Sequence, residues 1–516
     1  MLVWIILIAY LVLMIGIGVY CRKKASNVSD FVLGGRNLGA WFTAFAYGTS
    51  YFSAVVFIGY AGQFGWNYGI SATWIGLGNA FIGSMLAWLL MGKRTRIMSK
   101  HLNASTMPEF FEHRYGSKGL KITSSGIVFV FLIPYTASVY NGLSRLFEMA
   151  FGIPYEYCII GMAVLTAVYV ILGGYMATAI NDFIQGIIML AGIAAVVIFA
   201  VAKQGGLFTA LTKLGEISDG VPAGSLNSIF GPDPINLLGV IILTSLGTWG
   251  LPQMVGKFYA IKDNSAIKRG TIISTLFALV VAGGSYFLGG FGRLYTTTDA
   301  ITNPATGKLV YDSIIPTMLQ SALPDILMGI VVVLVLSASM STLSSLVLTS
   351  SSTLTIDMIK PVVERKKPMR EKTQVLLMRI FIAAFLVLSV IIALNPNTYI
   401  STLMSISWGA LAGAFLAPFL YGLFSKKITR AAVWASFISG VGITVVHMFL
   451  FSLGLFPGLV EAVKALNCPL NLLSPINAGA FAMLVGLVLV PLVSLFTKKP
   501  EKEVVDYAFE GYNRDI

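Results

Sequence analysis

The feature that most constrains this sequence is a series of long runs without any charged residue. Residues 37–92, for example, contain no Asp, Glu, Lys or Arg over 56 positions. The hydrocarbon core of a bilayer is about 30 Å thick, and a helix of about 20 apolar residues crosses it. Only 11% of the 516 residues are charged and 56% are hydrophobic, whereas soluble domains carry about 25% charged residues. The sequence therefore predicts an all-α polytopic membrane protein.

Thirteen membrane-spanning helices, called spans 1 to 13 in chain order, are predicted from these runs. Their expected bounds are 2–21, two spans within 37–92, 122–144, 157–181, 183–202, 234–256, 271–292, 326–356, two spans within 380–425, 431–459 and 476–497. The pair within 380–425 is divided at Asn395, Pro396 and Asn397. The first run is interpreted as a retained span and not as a secretory signal, because the basic run 22–24 follows its apolar part instead of preceding it.

The basic residues predict the orientation, since cytoplasmic loops of membrane proteins carry an excess of Lys and Arg. With the N-terminus outside and the C-terminus in the cytoplasm, alternation of the spans places 29 of the 35 Lys and Arg residues in cytoplasmic segments. The other six lie outside or near the outer ends of spans: Arg145, Lys203, Lys213, Arg293, Lys308 and Lys464. The formal net charge of +13 is then mostly an orientation signal. We expect a multi-pass protein of the cell membrane, with the lipid bilayer as its solvent, no nucleic-acid partner and no obligate protein partner.

Two spans are predicted to contain broken helices. Span 2 has AYGTSYFS at 46–53, and span 7 has TSLGTWGLP at 244–252. Glycine permits unusual backbone angles, and proline cannot donate to the helical ladder. Irregular backbone persists at membrane depth only beside protein or a water-filled cavity. Gly and Pro are also simply common in membrane helices, but the two breaks lie five spans apart, which favours two inverted five-helix units of the kind found in secondary transporters.

Span 9 carries SASMSTLSS at 337–345, in which six of nine residues bear a hydroxyl group. Positions 338, 341, 342 and 345 share one helix face. Na⁺ is a hard cation, and hard cations prefer oxygen ligands. The hydroxyls of Ser341 and Thr342, the carbonyl of Ala338 and carbonyls released by a broken helix could supply five ligands. The alternative is that these hydroxyls bond a carbonyl of their own helix or pack against neighbouring helices.

Asp182 lies between the predicted spans 5 and 6. A charged group at membrane depth is usually functional, but a carboxylate at a helix N-terminus facing the cytoplasm would also suit the helix dipole. A proton-coupled symporter of a small carboxylate or amino-acid-like solute, with Asp182 as the relay, is therefore the alternative to sodium coupling. The three histidines, His101, His113 and His447, match no metal-binding motif. No enzyme is expected, and no catalytic residue is assigned.

Several short pieces of sequence together resemble the sodium:solute symporter family over nearly the whole chain. They are FVLGGRNLG at 31–39, YTAS at 135–138, RLFE at 145–148, GGY at 173–175, NDFIQG at 181–186, GLPQ at 250–253, KD at 262–263 with Ala266, and MSTLS at 340–344 followed by Ile356 and Asp357. The resemblance implies Na⁺-coupled symport of a small organic solute into the cell by alternating access. It also implies a LeuT-like fold, a 5+5 inverted repeat with a broken first helix in each repeat.

The resemblance also implies the site residues and the coupling ion, Na⁺. The main sodium site would use Thr49, Phe52, Ala338, Ser341 and Thr342. A second sodium site, found in some members, would use Asp182, Ser344 and Ser345. The substrate cavity would lie near Thr49, Tyr51, Ser53, Tyr135, Thr248 and Trp249.

Within the family, the runs TSYFS at 49–53, NDFIQG at 181–186 and GLPQ at 250–253 look more similar to the sodium/pantothenate carriers than to the sodium/proline carriers. The proline carriers place an acid where Tyr51 stands and a tryptophan where Thr244 stands.

The predicted organisation is a peripheral N-terminal helix and loop at 1–36, a first repeat at 37–203, an extracellular loop at 204–233, a second repeat at 234–425, two peripheral helices at 426–498 and a cytoplasmic tail at 499–516. The tail is expected to be disordered.

Overall fold

The computed structural model describes residues 2–22, 27–304, 307–365, 368–394 and 400–514, and these residues form an all-helical molecule. The helices assigned to spans are Leu2–Cys21, Ala40–Tyr51 with 55–68, 73–101, Lys118–Phe151, Tyr155–Lys203, Pro234–Gly250 with Pro252–Ala260, Asn264–Gly289, Leu327–Val363, Glu371–Ala393, Ile400–Phe424, Arg430–Ser452 and Pro475–Phe496. Shorter helices between or after them are Val28–Leu33, Met107–Tyr115, Leu207–Glu216, Ile314–Ala322, Pro457–Ala465 and Lys502–Arg514.

The number of spans depends on how two very long helical stretches are divided. Among the described residues, Val55–His101 and Tyr155–Lys203 run for 47 and 49 residues, which at 1.5 Å per residue is about 70 Å, more than twice the bilayer core. Each contains a glycine with positive φ, Gly69 at 62° and Gly174 at 55°. By length and hydropathy alone the described residues give nine spans, or ten with the bent pair of span 7; dividing the two long stretches at these glycines and adding Leu2–Cys21 is compatible with thirteen, which stays a prediction. The predicted division at Asn395–Asn397 and the basic residues Lys23 and Lys24 lie outside the described residues.

Both predicted helix breaks are present, and they have nearly the same geometry. Span 2 is interrupted at Phe52, whose φ and ψ are −87° and 113°. Span 7 is interrupted at Leu251, with φ and ψ of −83° and 122°, and its two halves are bent by 45°. In each case one extended residue stops the helical ladder and leaves carbonyl groups of the preceding turn without helical partners. The first helix of each five-helix unit is therefore broken in the same way.

The predicted boundary between spans 5 and 6 was wrong by about two helical turns. The helix is kinked at Gly174, not near Asn181, because only glycine adopts this left-handed backbone without strain. A Cβ added at Gly174 would also lie 2.9 Å from the Phe31 ring. As a result Asp182 lies well inside span 6, where it is fully buried. The reading of Asp182 as a helix N-terminal carboxylate facing the cytoplasm is therefore wrong.

The predicted disorder of the tail was also wrong. Residues Lys502–Arg514 form a helix that packs against the helices Lys93–His101 and Met107–Tyr115. Its rings cover two arginines of these helices, since the guanidinium of Arg114 lies 5.0 Å from the Phe509 ring and that of Arg94 lies 5.1 Å from the Tyr512 ring. The tail is polar on average, but its apolar residues lie on one side of an amphipathic helix. A short helix of this kind is stable only because that apolar side packs against the rest of the protein.

Burial separates the central helices from the peripheral ones. Spans 9 and 11 are the most enclosed of the described spans, each with 94% of its most apolar window buried. Spans 12 and 13 bury only 28% and 33% of theirs, so most of their apolar surface faces the lipid. Span 9 contacts spans 1, 2, 4, 5, 6, 7 and 10. The hydroxyl-rich helix is thus at the centre of the molecule, beside the break in span 2.

Candidate sodium and solute sites

The break in span 2 meets span 9 at Thr342. The Thr342 Oγ1 lies 3.2 Å from the Thr49 carbonyl oxygen and 3.3 Å from the Phe52 carbonyl oxygen. All three residues are buried. The two carbonyls point at this hydroxyl because the extended Phe52 ends the helix, so no later amide takes them as helical partners. Three oxygens from two helices therefore converge at one point of the buried core.

The remaining predicted ligands of the main sodium site lie on the same helix. Ala338 is fully buried one turn before Thr342, at a spacing that places both on one helix face. Ser341 is also buried, but its hydroxyl donates to Asp182 Oδ1 at 2.6 Å. The structure thus brings Thr49, Phe52 and Thr342 into direct contact, and it joins Ser341 to the carboxylate in span 6.

A residue that sequence reasoning missed completes this cluster. Lys257, in the second half of the broken span 7, has an almost fully buried side chain, only 3% exposed. Its Nζ lies 3.7 Å from Asp182 Oδ2 and donates to Ser345 Oγ at 3.0 Å. It also lies 5.1 Å from the centre of the Tyr175 ring. Counting Lys257 among the cytoplasmic orientation charges was therefore wrong, because the 45° bend of span 7 carries it into the core.

The serines around Lys257 tie four spans together. Ser345 Oγ also lies 2.8 Å from Ser50 Oγ in span 2, so spans 2, 6, 7 and 9 meet within one hydrogen-bonded group. Ser344 does not join them, since its hydroxyl donates to the Ser341 carbonyl of its own helix at 2.8 Å. This is the local bonding expected of serine in membrane helices. Of the predicted second sodium site, Asp182 and Ser345 face the lysine and Ser344 turns away.

The predicted substrate residues divide into two groups. Four have polar groups that are already hydrogen-bonded. Thr248 and Trp249 donate to the carbonyl oxygens of Gly83 and Ile82, each at 3.0 Å. Thr49 donates to Phe45 O at 2.8 Å, and the Ser53 hydroxyl accepts from the Val55 amide at 3.2 Å. These contacts hold the broken helices in place. The hydroxyls of Tyr51 and Tyr135 are buried and have no hydrogen-bond partner. Only these two of the six present unengaged side-chain polar groups to a ligand.

Further unpartnered donors surround Tyr51 and Tyr135. The hydroxyl of Tyr286 in span 8 is also without a hydrogen bond of normal geometry, and the side chains that act on it electrostatically include Asn79, Tyr51 and Tyr135. The indole Nε1 of Trp408 in span 11 likewise forms no hydrogen bond of normal geometry, although it lies beside the Tyr135 hydroxyl, and the two rings pack edge-on at 5.9 Å between centroids. Buried polar groups in native proteins are almost always hydrogen-bonded. Tyr51, Tyr135, Tyr286 and Trp408 are called here the aromatic cluster, and each of them buries a donor that forms no hydrogen bond.

Sequence reasoning did not single out Tyr286 and Trp408. An aromatic residue in a membrane span is indistinguishable from ordinary core packing when only the sequence is known. The broken helices therefore indicated residues of spans 2 and 7 and did not indicate the aromatic residues of spans 8 and 11.

A small cavity reaches Lys257 from the loop 105–107. Its lining includes the loop 105–107, Gln253, Lys257, Ser345 and Thr349. Both polar atoms of the Gln253 side chain are buried without a partner. Among the described residues no group of three His, Cys, Asp or Glu could hold a metal ion.

The model of the sodium:solute symporter family matches residues 31–440 of this chain. The chain belongs to the sodium:solute symporter family. It is therefore a multi-pass membrane transporter and not an enzyme, and Na⁺ is its coupling ion. Its relatives include the osmoregulated proline transporter OpuE of Bacillus subtilis, 29% identical over 96% of this chain and 94% of the relative. The sodium/proline symporter of Staphylococcus aureus is 30% identical over 86% of this chain and 85% of the relative.

Solved structures show the same fold. An outward-open, substrate-bound Na⁺-coupled sialic acid symporter superposes with a TM-score of 0.75 over 97% of this chain and 99% of that chain, at 16% identity. The nucleobase-cation-symport-1 transporter MHP1, in a closed conformation with bromovinylhydantoin, gives a TM-score of 0.51 over 94% and 98%, at 13% identity. The predicted LeuT-like, all-helical fold with broken first helices is confirmed.

Proposed function

We propose that this protein imports a small organic solute into the cell together with Na⁺ by alternating access. The observation that carries the proposal is the position of Thr342, whose hydroxyl meets the Thr49 and Phe52 carbonyls at the break of span 2. In this proposal Na⁺ binds there, with Ala338 and Ser341 completing the ligand set. The N-terminus lies outside and the C-terminus in the cytoplasm, as the distribution of basic residues predicts.

The ion and the solute share one broken helix, which gives a physical route for coupling. Tyr51 precedes Phe52, so the residue whose carbonyl binds the ion adjoins a residue of the aromatic cluster. Na⁺ that bridges spans 2 and 9 would order this segment and lower the entropic cost of binding the solute. The solute must then raise the affinity for Na⁺ by the same factor, because binding free energies are linked reciprocally. The membrane potential adds about 2.3 kcal/mol per charge for each 100 mV.

The aromatic cluster supports a carboxylate-bearing solute with an apolar body. Hydroxyl and indole N–H groups donate hydrogen bonds, and carboxylate oxygens accept them. The rings of Tyr135 and Trp408 offer apolar surface for the rest of the molecule. Both curated relatives named above are proline transporters, whereas Tyr51 replaces the acid that proline carriers place at this position. We therefore propose a small carboxylate, with proline and pantothenate as the first two solutes to test.

The test is uptake into proteoliposomes with Na⁺ or choline outside at constant pH. Thr342→Val keeps the side-chain shape and removes the hydroxyl, so it should raise the Na⁺ concentration for half-maximal uptake at least tenfold. Thr444→Val is the matched control, because that buried hydroxyl donates only to Gly440 O of its own helix and lies in the peripheral span 12. Equal Na⁺ dependence of Thr342→Val and the unmodified protein would rule out this ion site. Uptake that is unaffected by choline but driven by a proton gradient would favour a relay at Asp182.

A further inference from the structure

Lys257 brings a fixed positive charge to the place where the resemblance to the family predicts a second sodium ion. Its ammonium group lies between Asp182 Oδ2, at 3.7 Å, and Ser345 Oγ, at 3.0 Å. The Tyr175 ring covers another side at 5.1 Å. Asp182 is fully buried and the lysine side chain nearly so, so this pair is part of the core and not a solvated surface pair.

An ammonium group and a sodium ion are stabilised by the same kinds of neighbouring atoms. Both are monovalent cations that are stabilised by carboxylate, hydroxyl and carbonyl oxygens, and the ammonium has three N–H donors to satisfy. Two of the three residues of the predicted second sodium site, Asp182 and Ser345, instead contact the lysine ammonium. The third, Ser344, directs its hydroxyl to a carbonyl of its own helix. The predicted second ion therefore does not fit the residues as they are arranged.

We propose that the Lys257 ammonium takes the place of a second sodium ion, so that the protein binds a single Na⁺, at Thr342. This inference rests on the function proposed above and adds the ion stoichiometry of the same site. The lysine reaches this place only because span 7 is broken at Leu251. Its second half, Pro252–Ala260, carries Lys257 to Asp182 of span 6 and Ser345 of span 9.

The charges of the cluster support this assignment. Asp182 and Lys257 together are neutral, and no other ionisable side chain of the described residues lies within ion-pair distance of either. A sodium ion added beside Asp182 would leave a net positive charge in the core next to the ammonium. Like charges at such short distance repel strongly where water is excluded. A second ion therefore requires that the lysine first leave.

The test counts the sodium ions that bind to the purified full-length protein, with ²²Na⁺ as the only ligand, so that no solute needs to be known. The unmodified protein should bind one ion with a Hill coefficient near one. Lys257→Met leaves Asp182 without its cation and should bind two ions. The double variant Lys257→Met with Asp182→Asn has no uncompensated carboxylate and should return to one. Lys262→Met is the matched control, because Lys262 pairs with Asp263 on the exposed surface, and it should bind one ion.

The possible counts separate this inference from the proposed function. Two ions bound to the unmodified protein would overturn the inference and leave the proposed symport intact. A single ion bound to a folded Lys257→Met would also overturn it, because the freed carboxylate would then attract no sodium. Absence of saturable binding in the unmodified protein would instead refute the proposed sodium site itself. If Lys257→Met does not fold, the count for the unmodified protein still decides between one ion and two.

Discussion

The pair formed by Asp182 and Lys257 predicts a stability pattern that can be measured before any solute is known. At 3.7 Å, and with an effective dielectric constant of about 20, two unit charges attract by about 4 kcal/mol. Both groups are buried. If one partner were removed, the remaining charge would lose this attraction and would still bear the free-energy cost of its own desolvation. Breaking a buried pair typically costs about 3–5 kcal/mol, whereas replacing both members by neutral residues costs much less.

The assay is thermal unfolding in detergent without Na⁺, followed by intrinsic tryptophan fluorescence. Asp182→Asn and Lys257→Met should each lower the unfolding temperature by several degrees, and the double variant should unfold closer to the unmodified protein than either single variant. Added Na⁺ should rescue Lys257→Met by more than it stabilises Asp182→Asn, since ligand binding to the folded state stabilises it in proportion to RT ln(1 + [L]/Kd). Additive losses in the double variant, or equal rescue of both single variants, would refute the reasoning.

Three further predictions test the rest of the molecule. Gly174→Ala should lower stability by at least about 1 kcal/mol, because the residue has a positive φ and its Cβ would lie 2.9 Å from Phe31; Gly161→Ala, with no atom within 4 Å of the new Cβ, is the control in the same thermal assay. Trp408→Phe should raise the solute concentration for half-maximal uptake about tenfold through the loss of one hydrogen bond, with ²²Na⁺ binding unchanged. Truncation after Lys499 should lower the unfolding temperature, since it removes the helix whose rings cover Arg94 and Arg114; an unchanged temperature would show that the tail contributes nothing to stability.

The helices and their breaks could be predicted because lipid imposes simple rules on sequence. Charge-free runs of about 20 residues and the Gly and Pro residues around Phe52 and Leu251 are local signals, and the structure confirms both breaks. The boundary at Gly174 was missed for a different reason. The charge at Asp182 looked like the end of a span, although its cost in the membrane is offset by a lysine 75 positions later in the sequence.

The site could be predicted only where its residues carry local signals. The hydroxyl run of span 9 pointed to Thr342, and the structure brings it to the carbonyls of the broken helix. Lys257, Tyr286 and Trp408 have no such signal, because their roles depend on which other helices face them. Lys257 was misassigned because one lysine near the end of an apolar run looks like a positive-inside residue. Only the bend at Leu251 directs it inward.

A resident ammonium also changes the energetics of transport. Asp182 and Lys257 belong to the protein and carry no net charge together, so they move no charge across the membrane when the protein changes conformation. The driving force then comes from the single sodium ion, with about 1.4 kcal/mol for a tenfold concentration gradient and about 2.3 kcal/mol for 100 mV. For a solute without net charge this sums to about 3.7 kcal/mol, enough for accumulation of about 500-fold. A second ion would square that ratio. With the lysine ammonium in place of a second Na⁺, the protein can accumulate less solute, but Asp182 is neutralised without a second cation.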